Sequence, residues 1–362
     1  MFDFAATSTL SATQHVCGGS VSHMGNILFR GVVGVLTWYS DLRAGGPMDQ
    51  TEGQPDVAAG IDALRQKDWN RFEALYAARS PSDRYHFLQG VTNLSEVECA
   101  WPTVTTPQLA TITMGLCVGW AWRHRGYGVG STVTEAGARS MWRLLGRALE
   151  IAGDLGAQAD EVALALAIRA QMATDGDRGG LQRLLNAAAK LDRPNIFTPR
   201  NHLLFVAPKW HGSSEEIYAA AREYAHRPAN AAWLALPVMA HIEVMTYQLH
   251  MSDDKSVQWE GRKYFHKSST YAKELEHFDD AFWAARDRAQ AQMGHAETMF
   301  AHNIFAYAFY HGLVYQRSLR DRLARHLEAI GPNLLVQPWS YNLLQRPSIT
   351  ALRRRAGLRR LR

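Results

Sequence analysis

The chain has 362 residues, 47% hydrophobic and 10% aromatic, which excludes disorder throughout and exceeds what one compact core needs, so two domains or one elongated array is expected. The net charge of +5 sits at the end: Arg353, Arg354, Arg355, Arg359, Arg360 and Arg362 leave 33 basic against 34 acidic side chains elsewhere, so the body has no basic excess to bind a polyanion. Cys17, Cys99 and Cys117 are odd in number, far apart and without a CxxC pair, which excludes a zinc framework or disulfide scaffold and points to a reducing cytoplasm.

Residues 1–47 are rich in Ser, Thr and Gly, end in Gly45, Gly46 and Pro47, and are expected to be a poorly ordered extension, with Met48 an alternative start of translation. The apolar stretch around Val32 is interrupted by Arg30 and is shorter than the roughly 20 residues a bilayer needs, so neither a cleaved signal nor a membrane span is expected. From Asp56 a 3.6-residue period takes over. Ile61 and Leu64, then Phe72, Leu75 and Tyr76, form a short helical hairpin around Lys67–Trp69. Ser80 and Pro81 introduce another helix, Ser95 with Glu98 has capping-box spacing, and a further helix is predicted from Pro107 to Arg123. Gly126–Gly130 reads as a connector, because it lacks the preceding strand and the Lys of a phosphate loop. Thr132 and Glu135 have capping-box spacing for a helix carrying Trp142, Leu145, Leu149 and Ala152 on one side. Two Ala- and Leu-rich helices follow, around 159–173 and 179–191.

The stretch HLLFVAPKWHGSSEE reads as the elbow of a helical hairpin. Pro208 stops one helix, Gly212 permits a turn, and Ser213 with Glu216 has the spacing that satisfies orphan amides at the next helix start. Trp210 and His211 are the elbow residues able to line a pocket. The order of a Pro-Arg-Asn-His run, an apolar helix, PKW, a Gly-Ser turn and a Glu-rich start resembles an uncharacterised bacterial family of tetratricopeptide-like helical proteins with a KWGGS-like turn. Lys209, Trp210, Gly212 and Ser213 match, and His211 stands where that family has Gly. The resemblance covers about residues 55 to 275 and implies a helical-hairpin fold without implying an activity.

Beyond Pro228 the segments are longer and more aromatic; Pro237 is expected to kink or restart its helix, and Phe300–Tyr315, apolar nearly all round, to be buried and to close the array. After Gly331 and Pro332 a weakly ordered Arg-rich tail is expected. His241, Glu243 and His250, and His295, Glu297 and His302, are the best histidine clusters, but spacings of seven and two residues put side chains about 10.5 Å apart or on opposite faces, so no metal site is expected. GxSxG, a P-loop and GxGxxG in strand-to-helix context are all absent.

The fold class read from these elements is all-α, a right-handed array of helical hairpins like a degenerate tetratricopeptide solenoid over 48–330, with a more aromatic half from about 229. Such an array suits a protein or peptide interaction scaffold, with Trp142, Trp210, Trp233 and Tyr247 as candidate groove residues or simple core. The rival readings are a helical enzyme using His241 or His302 with Glu243 or Glu297, and polyanion binding through the Arg tail. No cofactor is expected, and nucleic acid is a partner only through the tail.

Overall fold

The computed structural model describes residues 49–95, 101–126, 132–174, 176–191, 195–266, 269–289, 293–341 and 347–358. The expectations for residues 1–47, for Glu98, Cys17 and Cys99, for most of the Gly126–Gly130 connector and for Arg359, Arg360 and Arg362 fall outside these residues. The described chain is all-α, with sixteen α-helices, and its one extended pairing is an isolated bridge between Asp49 and Leu335. In order they are α1 Val57–Gln66, α2 Trp69–Ala77, α3 Pro81–Leu94, α4 Pro107–Arg125, α5 Glu135–Leu155, α6 Glu161–Met172, α7 Arg178–Ala188 and α8 Phe197–Phe205. They continue as α9 Ser214–His226, α10 Leu236–His250, α11 Lys255–Arg262, α12 Thr270–Ala289, α13 His295–Gly312, α14 Arg320–Ile330, α15 Val336–Trp339 and α16 Ile349–Ala356. Among the described residues no helix is long and apolar enough to cross a membrane.

Short polar side chains start these helices by accepting bonds from first-turn amides that have no partner within the helix. Ser80 accepts from Asp83 N–H at 3.2 Å, Thr106 from Leu109 at 3.1 Å, Asp160 from Ala163 at 2.8 Å and Ser348 from Ala351 at 3.1 Å. One cap differs from the spacing seen in sequence: Thr134, not Thr132, opens α5, accepting from Gly137 at 3.1 Å. Ser95 ends α3, and its hydroxyl accepts from Trp120 Nε1 at 2.9 Å. Pro237 lies in the first turn of α10, where a missing N–H costs nothing, so the chain restarts there after a 3-10 turn at Ala231–Ala235. At the elbow the Ser213 hydroxyl accepts from Glu216 N–H at 3.2 Å. Gly212 supplies space there, since a Cβ would come within 2.1 Å of the Val206 carbonyl oxygen.

Helices close in sequence pack on one another, α4 on α5 and α6 on α8, but distant ones meet too: α13 lies against α3, and the 49–54 turn is tied to Leu334 by Asp49 N–H at 2.8 Å. In an open stack of repeats each unit touches only its neighbours. Here the two ends of the described chain share one core. α13 is buried along nearly its whole length because it is sandwiched between α3, α10 and α14. The buried stripe of α5 runs through Met141, Leu144, Leu145 and Ala148, which leaves the neighbouring Trp142 60% exposed. The Arg-rich end is not wholly solvated: α16 packs on α14, Leu352 is fully buried, and Arg353, 9% exposed, donates to the Leu327 carbonyl at 3.4 Å. Arg355 stacks over Tyr310 at 5.1 Å.

Gly115 and Gly119 let α4 approach α3 closely. A Cβ would come within 2.4 Å of Leu88 Cδ1 at the first and 2.1 Å of Thr92 Oγ1 at the second. This close seam forms one wall of a cavity among the described residues.

Candidate anion-binding cavity

The cavity has a volume of about 410 Å3, within the range of small-molecule sites. Its walls come from helix faces with i, i+3, i+4, i+7 spacing: Tyr85, Leu88, Gln89 and Thr92 on α3, and Gly115, Val118, Gly119 and Trp122 on α4. Arg169 enters from α6, Arg200 from α8, Lys209 and Trp210 from the elbow, and Gln337 and Tyr341 from the segment around α15. Glu52 on the 49–54 turn completes the wall.

Charge in this cavity is one-sided. Arg169 and Arg200 are each only 6% exposed, and neither has a carboxylate within ion-pair distance among the described residues. The Arg169 guanidinium stacks on the Trp122 ring at 3.8 Å and contacts Met172 Sδ at 3.7 Å, while its Nε has no protein partner. Burial, reinforced by the nearby Arg200 charge, pushes Arg169 down to about 10, which keeps it charged at neutral pH. Arg200 donates to Asn201 Oδ1 at 3.1 Å and to Gln337 Oε1, both neutral acceptors. Arg125 lies 5.7 Å from the Trp122 ring and 6.0 Å from that of Trp210, and these two indoles meet edge to face at 5.8 Å. Arg123 is engaged with backbone carbonyls at the end of α3, including Thr92 O at 3.2 Å.

Lys209 has its own counter-ion. Its Nζ lies 2.5 Å from Glu243 Oε2 and 4.5 Å above the Tyr341 ring, and Tyr341 donates its hydroxyl to Glu243 Oε1 at 2.6 Å. Burial and the adjoining Glu243 raise the Tyr341 hydroxyl well above its ordinary range, so it remains a donor. Glu52 is the single carboxyl in the wall among the described residues, and burial pushes it up to about 8. His86, whose Nδ1 has no protein partner, is driven well below the usual imidazole value by burial and is neutral. The cavity therefore presents two buried guanidiniums, aromatic faces and neutral polar groups, and no carboxylate to balance Arg169 and Arg200 at neutral pH. A buried charge without a partner is costly, and an anion of complementary shape removes that cost.

The residues singled out from sequence fall in several places. Trp210 lines the cavity and Glu243 lies behind it, paired with Lys209. His211 is turned away and ties the elbow to α6 through Nε2 and the Met172 carbonyl at 2.7 Å. Tyr247 is half-buried outside the lining, and Trp233 packs edge-on against Tyr224 at 5.5 Å. His241 does not meet Glu243. Its Nε2 lies 3.0 Å from Glu274 Oε2 and its Nδ1 3.1 Å from the Tyr264 hydroxyl, inside a cluster with Tyr218 and Tyr271. His302 does not meet Glu297; its Nδ1 is 2.8 Å from His326 Nδ1, and His326 Nε2 is 2.8 Å from Asp279 Oδ1. Glu297 caps α13 by accepting from Gly294 N–H at 2.9 Å and also accepts from the Ser82 hydroxyl at 3.1 Å. Neither histidine network opens onto the cavity. No group of three or more His, Cys, Asp or Glu side chains suited to one metal ion occurs among the described residues.

The cavity residues that sequence reasoning missed are Glu52, His86, Trp122, Arg169, Arg200 and Tyr341. One signal was present: every residue from Val162 to Met172 is buried, so the lone Arg of that apolar helix had to be buried with them. Compared with protein-family models, curated proteins and solved structures, the chain matches none.

Proposed function

We propose that the protein binds a small organic oxyanion, with its charged group at Arg169 and Arg200 and an apolar or aromatic part against Trp122 and Trp210. The observation that carries this reading is the pair of buried guanidiniums without carboxylate partners in a cavity of ligand size. Guanidinium suits the task because it is planar, permanently charged and matched to two oxygens at once. Differential scanning calorimetry at constant ionic strength tests it. Benzoate and sulfate are expected to raise the melting temperature, whereas neutral benzamide and the same concentration of chloride leave it unchanged. Equal shifts with all four would overturn the reading.

The degenerate hairpin array remains our reading of the architecture, supported by the packing of consecutive helices, and the contact of α13 with α3 favours an enclosed site over an open groove. A second reading, a scaffold that also docks a protein or peptide, is favoured by the exposed indoles of Trp142 and Trp259. It predicts that replacing both by Ser abolishes partner capture without altering anion binding.

A further inference from the structure

Glu52 holds an unusual position. The 49–54 turn is fixed by Asp49, whose carboxylate accepts from Thr51 N–H and Gly53 N–H, both at 2.9 Å. Glu52 sits in that turn at φ 53, left-handed backbone that favours Gly or Asn, yet it is 7% exposed and directed into the cavity wall. The groups facing it come from every neighbouring element. Asp49 shares its turn, Asn93 and His86 come from α3, Arg200 from α8 and the Val336 backbone from the α15 segment; His295 of α13 holds the adjoining Gly53 carbonyl at 2.7 Å. Asn93 Nδ2 donates to Glu52 Oε1 at 3.2 Å, and the Val336 backbone N–H is a further donor to this carboxyl. Burial is the largest influence on this carboxyl, Arg200 opposes it and Asp49 adds to it.

We propose that Glu52 grips the ligand as a carboxylic acid, its hydroxyl donating to one oxygen of the oxyanion whose remaining oxygens are held by Arg169 and Arg200, so that anion capture is linked to a proton. This rests on the anion reading above. In its ionised form Glu52 becomes the cavity's own counter-anion: it offsets Arg200, repels the incoming ligand and presents no donor. Ligand and ionised Glu52 therefore exclude one another, and the site fills at neutral and acid pH and releases on the alkaline side.

Calorimetric titration of the full chain with benzoate, whose charge is constant across the window, and with sulfate, tests this from pH 6 to pH 9. With Glu52 at about 8 and the other wall cations still charged, the expected dissociation constant is about the same at pH 6 and 7 and about tenfold weaker at pH 9. Close to one proton is taken up per benzoate at pH 9, read from buffers of different ionisation enthalpy. Glu52→Gln keeps a donor that cannot titrate and makes the profile flat. Infrared difference spectra give an independent readout, a protonated-carboxyl C=O band at pH 7 that is lost in E52Q. A flat profile in the wild type, the same alkaline loss in E52Q, or no protonated-carboxyl band overturns the role of Glu52 and leaves the anion site standing. Failure of both anions to bind at any pH overturns the site and this inference together.

Discussion

Replacing Arg169 by Met separates a charge kept for a ligand from one kept for the fold. Burial lowers Arg169 from 12.5 to about 10, and at 1.36 kcal/mol per unit the folded protein carries a cost of about 3 kcal/mol for holding this guanidinium charged at pH 7. The sign is that of a base with a depressed folded value: the unfolded chain holds the proton more tightly, and the cost is present in full below pH 10. Met carries no charge and, though two atoms shorter than Arg, has a flexible thioether that can fill the inner part of the slot beside Trp122 and Met172. It removes that cost and forfeits a desolvated cation–π contact of about 2 kcal/mol, so R169M is expected to be more stable than wild type by about 1 kcal/mol. Urea denaturation at pH 7 reads this as a higher midpoint at unchanged slope. The same variant loses benzoate binding. An R169M protein that is destabilised by more than about 2 kcal/mol would show the guanidinium to be a structural element already satisfied in the fold.

Other perturbations follow from the same geometry. Lys209→Met strips the ion pair from Glu243, which is 1% exposed, and is expected to cost about 3 kcal/mol by chemical denaturation, with much of it recovered in the K209M/E243L double variant. Gly119→Ala brings a methyl within 2.1 Å of Thr92 Oγ1, forces α3 from α4 and is expected to cost about 2 kcal/mol; the smaller Thr92→Ser should offset little, since its hydroxyl remains. Buried histidines contribute to acid sensitivity. Burial lowers His302 to about 2 and also lowers His326 and His86, so the unfolded chain takes up protons below pH 6.5 that the folded one refuses. Stability is therefore present above pH 6.5 and falls as pH drops, by up to about 1.4 kcal/mol per unit for each such group, and H302F should show a shallower fall by about one proton.

The all-helical character was legible because apolar spacing, Ser, Thr and Asp caps and Pro at helix starts are local signals that agree with one another. The elbow is an example: Pro208, Gly212, Ser213 and Glu216 each have a nearby mechanical role, and the Ser213 cap is made. Caps failed where a second hydroxyl stood two residues away, as Thr134 did for Thr132. The cavity was much less legible. Its parts lie on α3, α4, α6, α8, the elbow and the α15 segment, and no periodicity reports which helices converge. The helical-enzyme reading offered His241 or His302 with Glu243 or Glu297, and the partners these groups find lie on other elements of the fold. Side chains two residues apart on a helix point away from each other, so His241 found Glu274 on α12 and Glu243 found Lys209 at the elbow. Glu52 gave no signal at all, because a Thr-Glu-Gly turn reads as solvent-facing until the chain's other end is laid over it.

The most direct measurement is a crystal structure of the protein grown with benzoate at pH 7, with occupancy compared between wild type and R169M. The account predicts a carboxylate lying between the Arg169 and Arg200 guanidiniums with its ring against Trp122 and Trp210, and loss of that density in R169M. Benzoate bound elsewhere, or the same density in R169M, would contradict it.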